Sequence, residues 1–222
     1  MLSNIPVFYE DDWLAIVNKP PGLLTVPAPG NKLRALTDIL NEDLQNNGLL
    51  YRLHPCHRLD KETSGLILYA KGKAAQEKLM QLFKLRKITK TYIAFVQGRI
   101  EQDKGLIEKP IEGQPASTCF EVLQRRRNFS VVKLSPETGR TNQIRIHFKA
   151  IGHPLVGESK FAFRRDFALR SKRVCLHATH LEFIHPWTKE VVAVDSPLAR
   201  DMQKFLEDHL DPFGHPSKKE TR

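Results

Sequence analysis

His57-Arg58-Leu59-Asp60-Lys61-Glu62-Thr63-Ser64-Gly65 runs directly into Leu66-Ile67-Leu68-Tyr69-Ala70. The first nine residues carry charge and turn formers, and the last five form an apolar run of strand length. A Thr-Ser-Gly cluster between such segments reads as a loop. Side chains on a loop held by a strand are placed for chemistry more than for packing. His57 and Arg58 are potential cations just ahead of Asp60. A loop aspartate commonly serves only as a turn cap, through its side-chain oxygen. Residue type alone therefore leaves Asp60 open between turn and catalysis.

Upstream, Val7 to Tyr9 and Trp13 to Val17 flank the acidic Glu10-Asp11-Asp12 and read as strand, turn, strand. Asn18-Lys19-Pro20-Pro21-Gly22 should end the second strand near Lys19, because proline donates no ladder bond. Leu33, Leu36, Ile39, Leu40 and Leu44 step by three and four, which predicts an amphipathic helix from Leu33 to Gln45. Asn46-Asn47-Gly48 stops it.

Downstream, Ala74, Ala75, Leu79, Leu82 and Phe83 mark a second helix. Lys73, Lys78, Lys84, Arg86 and Lys87 lie on its other face and near its end, either solvated or turned to phosphates. Thr91 to Val96, Ile107 to Ile111, Thr118 to Leu123 and Phe129 to Leu134 read as strands. Arg125, Arg126 and Arg127 fall near a hairpin turn. Thr141 is expected to cap a helix with Ile144, Phe148 and Ile151 on its apolar side. Gly152-His153-Pro154 ends that helix. Phe161 to Arg173, basic and aromatic, is read as a short helix within a loop. His180 to Ile184 and Glu190 to Val194 form a hairpin, and Leu198 to Leu210 a closing helix.

Strands mixed with a few helices and joined by short turns predict an α+β class with a mainly antiparallel sheet. The expected organisation is one domain over 1–210, two lobes on one continuous sheet, with a polar tail over 211–222.

At 222 residues the chain can bury a sizeable core. Its 35 Lys and Arg against 25 Asp and Glu give +10 with neutral histidines. Such an excess suits a polyanionic partner through counterion release, but it also suits any soluble basic protein. Cys56, Cys119 and Cys175 are widely spaced and odd in number, so no disulfide framework is implied, and a reducing, cytoplasmic setting is expected. No leader pattern and no apolar run of membrane-spanning length are visible.

His57-Arg58-Leu59-Asp60-x-x-Thr63-Ser64-Gly65 resembles the signature of the RluA family of pseudouridine synthases. Further segments resemble the same family in the same order. They are Lys19-Pro20-x-Gly22, Lys90-Thr91-Tyr92-x-Ala94, Pro115-Ala116-x-Thr118, Gly139-Arg140-Thr141-Asn142-Gln143-Ile144-Arg145, Gly152-His153-Pro154-Leu155-x-Gly157 and Leu176-His177-Ala178. The likeness runs from about Val7 to Pro197. There are two departures. Asn142 stands where the family usually has His. Glu158-Ser159-Lys160-Phe161-Ala162 stands where an Asp and a Tyr-Gly pair are more usual. Both are expected to touch local hydrogen bonding or substrate fit and to leave the reacting residues unchanged.

The resemblance implies a pseudouridine synthase fold: a mixed, mainly antiparallel sheet with flanking helices and a central active-site cleft. It also implies the form that lacks the small N-terminal RNA-binding domain. The implied reaction isomerises uridine within RNA, without metal or organic cofactor. The bond from sugar to N1 breaks, the base rotates while bound, and C5 joins the sugar. Asp60 is the implied carboxylate, and it must be ionised, which a nearby guanidinium favours. Arg145 is its implied partner, suited by its planar fork. Asp60 has three possible roles: attack at C1′, attack at uracil C6, or removal of the C2′ proton. The reading leans to the last.

Tyr92 is expected to stack on the target base with its hydroxyl near C5. Arg58 is expected to fill the space of the flipped base or to hold a phosphate. His57, Lys90, Arg140, Arg125, Arg126 and Arg127 complete the expected RNA contacts. Extruding a base costs a few kcal/mol, least where the RNA is already looped, so a stem-loop read by shape is the expected substrate. Ribosomal and transfer RNA both qualify, with a lean to a small hairpin such as a tRNA arm. A monomer without an obligate protein partner is expected.

Two rival readings compete. His54, Cys56 and His57 cluster, as do His177 and His180, but no ligand spacing supports zinc. A non-catalytic RNA-binding or RNA-folding protein fits the charge equally well. The intact set of Asp60, Tyr92 and Arg145 separates it from an enzyme.

Overall fold

The computed structural model describes residues 5–28, 30, 34–162 and 169–209. The elements run β1 (Val7–Glu10), β2 (Leu14–Lys19), α1 (Leu36–Asn46), β3 (Leu53–Pro55), β4 (Ser64–Lys71), α2 (Lys73–Lys84), β5 (Ile88–Gln97), β6 (Lys104–Glu108), β7 (Ser117–Arg125), β8 (Phe129–Pro136), α3 (Gln143–Ala150), β9 (Leu176–Ile184), β10 (Val191–Asp195) and α4 (Arg200–Asp208). The strands form one 10-stranded sheet ordered β1-β2-β4-β9-β5-β8-β7-β6, with β10 beside β9 and β3 beside β4. The class is α+β, as the strand-rich pattern predicts.

Both faces of the central strands are covered, which is why β2 and β4 are almost wholly apolar. Alternation along each strand splits their side chains between two cores. Ala15, Val17, Ile67 and Tyr69 face one way and meet Leu36, Leu40 and Leu44 of α1. Leu14, Ile16, Leu66 and Leu68 face the other way and meet Ala75 and Leu79 of α2. A third cluster joins Phe95 and Phe129 to Met202 and Phe205 of α4.

The two halves of the sheet meet where β4 runs parallel to β9. The register there is only Ser64↔His177 and Gly65↔Ala178. Gly65 has φ +115°, and a Cβ added there would lie 2.2 Å from the Ala178 carbonyl oxygen. Only glycine allows so close an approach. This corrects the reading of Thr-Ser-Gly as loop: Ser64 and Gly65 already belong to β4.

Other expectations shift as well. Lys104–Glu108 pairs with β7, three residues before the predicted strand, because Lys109-Pro110 ends the ladder. Thr141 does not cap α3. Asn142 holds that place in a left-handed conformation, φ 54° and ψ 23°, without a side-chain cap bond. The three-residue β3 is too short to show a period. Phe161, Ala162 and Leu169 to Arg173 lie in no helix; the rest of that basic stretch, Leu210 and the 211–222 tail lie outside the described residues.

Candidate active site

The loop carrying Asp60 is short of regular structure but fixed at nearly every step. Leu59 N–H donates to Thr25 Oγ1 at 3.1 Å, and that hydroxyl returns a bond to the Leu59 carbonyl at 2.9 Å. The Lys61 carbonyl accepts from Gly22 N–H at 2.8 Å and from Lys19 Nζ at 3.1 Å. Thr63 N–H closes a turn on the Asp60 carbonyl at 3.1 Å. Behind the loop, Ser64 Oγ meets His177 Nδ1 at 2.9 Å and receives Arg173 Nη2 at 3.1 Å. The main chain is thus held, while the Asp60 carboxylate stays about a third exposed, at 31%.

Lys19 is fully buried. Its ammonium also donates to the carbonyls of Pro20 at 3.0 Å and Leu23 at 2.7 Å. Burial pushes its pKa down to about 7, with the Arg173 charge adding to this and Asp60 opposing it. Three carbonyl acceptors are the compensation that a buried ammonium needs.

Arg145, on α3, comes to Asp60 across the cleft. Its Nη1 lies 3.7 Å from Asp60 Oδ2, and its Nη2 lies 3.6 Å from Glu62 Oε2. Its fork, however, is occupied by Glu158: Nε to Oε2 at 2.7 Å and Nη2 to Oε1 at 2.8 Å. Nη1 also donates to Asn142 Oδ1 at 3.0 Å. The expectation that the fork binds Asp60 is therefore corrected. The guanidinium faces Asp60 as a neighbouring charge, and its paired hydrogen bonds go elsewhere. Burial opposes its ionisation, but the Glu158 hydrogen bonds together with the charges of Glu158, Asp60 and Glu62 outweigh this and hold its pKa above the usual arginine value.

Tyr92 lies on β5 and lines the same cleft as Asp60 and Arg145. Burial first, and the Asp60 charge second, push its phenol well above the ordinary range, so it is protonated and able to donate. Lys90, two residues earlier on the same strand face, also lines the cleft; burial lowers its pKa. Its Nζ sits 6.0 Å from the centre of the Phe83 ring.

His57 is not the cation its sequence neighbourhood suggested. Its Nε2 accepts from Leu68 N–H at 3.0 Å, its ring packs 4.9 Å from Phe83, and burial pushes its pKa down to about 3. The ring is neutral, with its proton on Nδ1. Arg58 is exposed and lines the cleft, and Arg140 lines it while Nε donates to the Pro115 carbonyl at 3.1 Å.

The structure does not bring Arg125, Arg126 and Arg127 to this cleft. Arg125 is used internally, on the carbonyls of Ile100 and Glu101 and on Asp103. Arg126 donates to Gln124. Of the basic residues on and after α2, Lys84 and Arg86 line the cleft, whereas Lys78 lies over Trp187. Among the described residues, no three His, Cys, Asp or Glu side chains come together in a metal-holding group. No helix among them is long and apolar enough to cross a membrane.

The cleft measures about 1710 Å³, above the roughly 300–1,000 Å³ usual for small-molecule pockets. The Asp60 carboxylate and the Arg145 guanidinium line it together with the basic side chains of Arg58, Lys61, Lys84, Arg86, Lys90 and Arg140. The sequence model described as RNA pseudouridylate synthase matches residues 13–150. The chain belongs to the RNA pseudouridylate synthase family. This pseudouridine synthase is 38% identical to the dual-specificity RNA pseudouridine synthase RluA of Pasteurella multocida, over 88% of this chain and 94% of that protein. It is 37% identical to an uncharacterised RNA pseudouridine synthase, YlyB, of Bacillus subtilis, over 92% of this chain and 72% of that one.

Among solved structures, the fold resembles Human RNA Pseudouridylate Synthase Domain Containing 1. That likeness has a TM-score of 0.71 and 26% identity, and covers 94% of this chain and 95% of that one. Like these relatives, the synthase is an isomerase acting on uridine in RNA, and the reading as a binder without catalysis is not favoured.

Lys19, Asn142, Glu158 and Arg173 escaped the reading of candidate residues. Lys19 did carry a signal, in Lys-Pro-x-Gly. Asn142 and Glu158 carried one as departures from the family pattern.

Proposed function

We propose that this pseudouridine synthase acts on a uridine displayed in a small RNA stem-loop, with Asp60 as the catalytic carboxylate and residues 1–210 as one catalytic unit. The observation that carries this reading is the grouping of Asp60, Arg145 and Tyr92 in one wide basic cleft, with Asp60 partly open to it.

In the favoured route Asp60 removes the C2′ proton as uracil leaves C1′ with the bonding electrons, giving a glycal. The freed base turns, C5 bonds to C1′, and C2′ regains its proton. C5 then gives up its hydrogen, and N1 gains one. Tyr92 stacks on the base with its phenol beside C5. Arg145 faces Asp60 as a neighbouring cation. Arg58 enters the gap left by the base or holds a phosphate, and Lys90 and Arg140 take backbone phosphates. Attack by Asp60 at C1′ or C6 would need the same placement.

Kinship with a protein named as dual-specificity supports a substrate read by local hairpin shape. A tRNA arm is the first candidate, and a ribosomal hairpin the second. Mapping pseudouridine in total RNA from cells with and without the gene identifies the target. Asp60→Asn is then compared with native protein on that RNA. Binding retained with pseudouridine lost supports the reading. Pseudouridine formed equally by both variants would remove Asp60 from the mechanism.

A further inference from the structure

Arg145 offers five N–H donors in a fixed plane. Glu158 takes one on Nε and one on Nη2, and Asn142 takes one on Nη1. One donor remains on each terminal nitrogen, facing Glu62 at 3.6 Å and Asp60 at 3.7 Å. Both distances exceed a normal hydrogen bond. Three carboxylates therefore surround one guanidinium, and only the most buried of them is hydrogen-bonded to it.

The anchors themselves cannot follow a moving arginine. The Glu158 side chain is 1% exposed, and its Oε1 also accepts the backbone N–H groups of Lys160 at 2.8 Å and Phe161 at 3.2 Å. Burial disfavours its charged form, but the hydrogen bonds and charge of Arg145 and the backbone N–H groups of Lys160 and Phe161 together prevail and hold its pKa below the usual carboxylate value. Asn142 is set by its left-handed backbone, which asparagine tolerates better than most residues. The Phe161 ring covers the guanidinium, 5.2 Å from its central carbon. The two anchors are also the places where this chain departs from the family pattern.

We propose that Glu158 and Asn142 are a matched pair of positioning residues that hold the Arg145 guanidinium at a stand-off from Asp60. The inference rests on Asp60 being the catalytic carboxylate. A guanidinium in direct contact would over-stabilise the charged acid and weaken it as base or nucleophile. At the stand-off distance it faces Asp60 without engaging its oxygens, which stay free for substrate. Without Glu158, the guanidinium is drawn onto Asp60 and Glu62.

The test uses tritium release from uridine C5 in total RNA of cells lacking the gene, in single turnover from about pH 5 to 9, with RNA affinity measured by filter binding. Glu158→Gln should lose about tenfold or more in rate and move the acidic limb of the profile to lower pH by about one unit, with RNA affinity within about twofold. Asn142→Gly deletes the carboxamide at a backbone position glycine occupies without strain; it should show the same signs more weakly, and it carries the test if Glu158→Gln does not fold. Asn142→His and Glu158→Asp should each impair the enzyme alone and partly rescue one another together, as coupled neighbours do.

Unmoved pH limbs with additive single effects would overturn the proposal and leave the pair a structural clamp. A native protein that binds RNA and releases no tritium would overturn the underlying reading of the site, and this proposal with it.

Discussion

Arg173 donates from Nη1 to the backbone carbonyl of Glu62 at 3.1 Å, tying the segment before β9 to the loop that carries Asp60. The same guanidinium binds Asp201 of α4 through Nε at 2.6 Å and Nη2 at 2.8 Å, and Nη1 reaches the carbonyls of Val174 and Leu176. Arg173→Met leaves the buried carbonyls of Val174 and Leu176 without this donor and should cost about 3 kcal/mol or more. Asp201 is half exposed, so Asp201→Asn should cost about 1 kcal/mol. Urea titration measures both. Pseudouridine formation per folded molecule should fall in the first variant and stay near native in the second.

The parallel contact of β4 with β9 leaves no room for a side chain at residue 65. Gly65→Ala sets a Cβ against the Ala178 backbone at a φ that disfavours alanine. A loss of about 3 kcal/mol or more, or insoluble protein, is expected. Gly48→Ala, where an added Cβ meets nothing within 4 Å, should cost about 1 kcal/mol from its positive φ alone. Similar thermal midpoints for the two would refute the close-approach explanation.

Acid should weaken the fold before it touches the carboxylates. Burial, aided by the Arg173 charge, pushes His177 down to about 4 from an ordinary 6.5, and its ring is shared between the Ser64 and Ser196 hydroxyls. A histidine with a lowered native pKa binds its proton first in the unfolded chain. Its contribution is therefore whole above about pH 6.5 and drains away as pH falls toward about 4, by at most about 1.4 kcal/mol per unit. His57, pushed down to about 3, adds in the same direction. Urea midpoints at pH 7 and pH 5 measure the slope, and His177→Gln should flatten it.

Basic side chains in and out of the cleft should separate by what they change. Arg58→Ala should weaken RNA binding and lower the slope of log affinity against log salt by nearly one. Arg125 is spent on Ile100, Glu101 and Asp103, so Arg125→Ala should lower stability and barely alter that slope. Equal salt slopes for the two variants would return the β7–β8 turn to the RNA-binding surface.

Local pattern revealed much of this molecule. The hairpin of β1 and β2 and both amphipathic helices on the central strands were legible in residue types and spacing, whereas Asp60, Tyr92 and Arg145 were singled out together only through the family resemblance. What stayed hidden were partners without a period. Glu158 reaches Arg145 across a loop that has no repeat to read. Lys19 is wholly buried, a state that lysines almost never adopt unless compensated, and its three carbonyl acceptors come from turns whose path no pattern predicts. His57 read as a cation because proximity to Arg58 in sequence says nothing about burial.

The two-residue seam between β4 and β9 has a mechanical consequence. Each half of the sheet is laced internally by longer antiparallel ladders, whereas across the seam, where Ser64 and Gly65 meet His177 and Ala178, side-chain packing does most of the joining, so main-chain hydrogen bonds resist bending least there. Asp60 sits four residues before that flex point, and Tyr92 pairs with Ala178 on its far side. An RNA that spreads or squeezes the halves would thereby alter the spacing of the reacting groups, so grip on the substrate and readiness to react would be governed by one compliance.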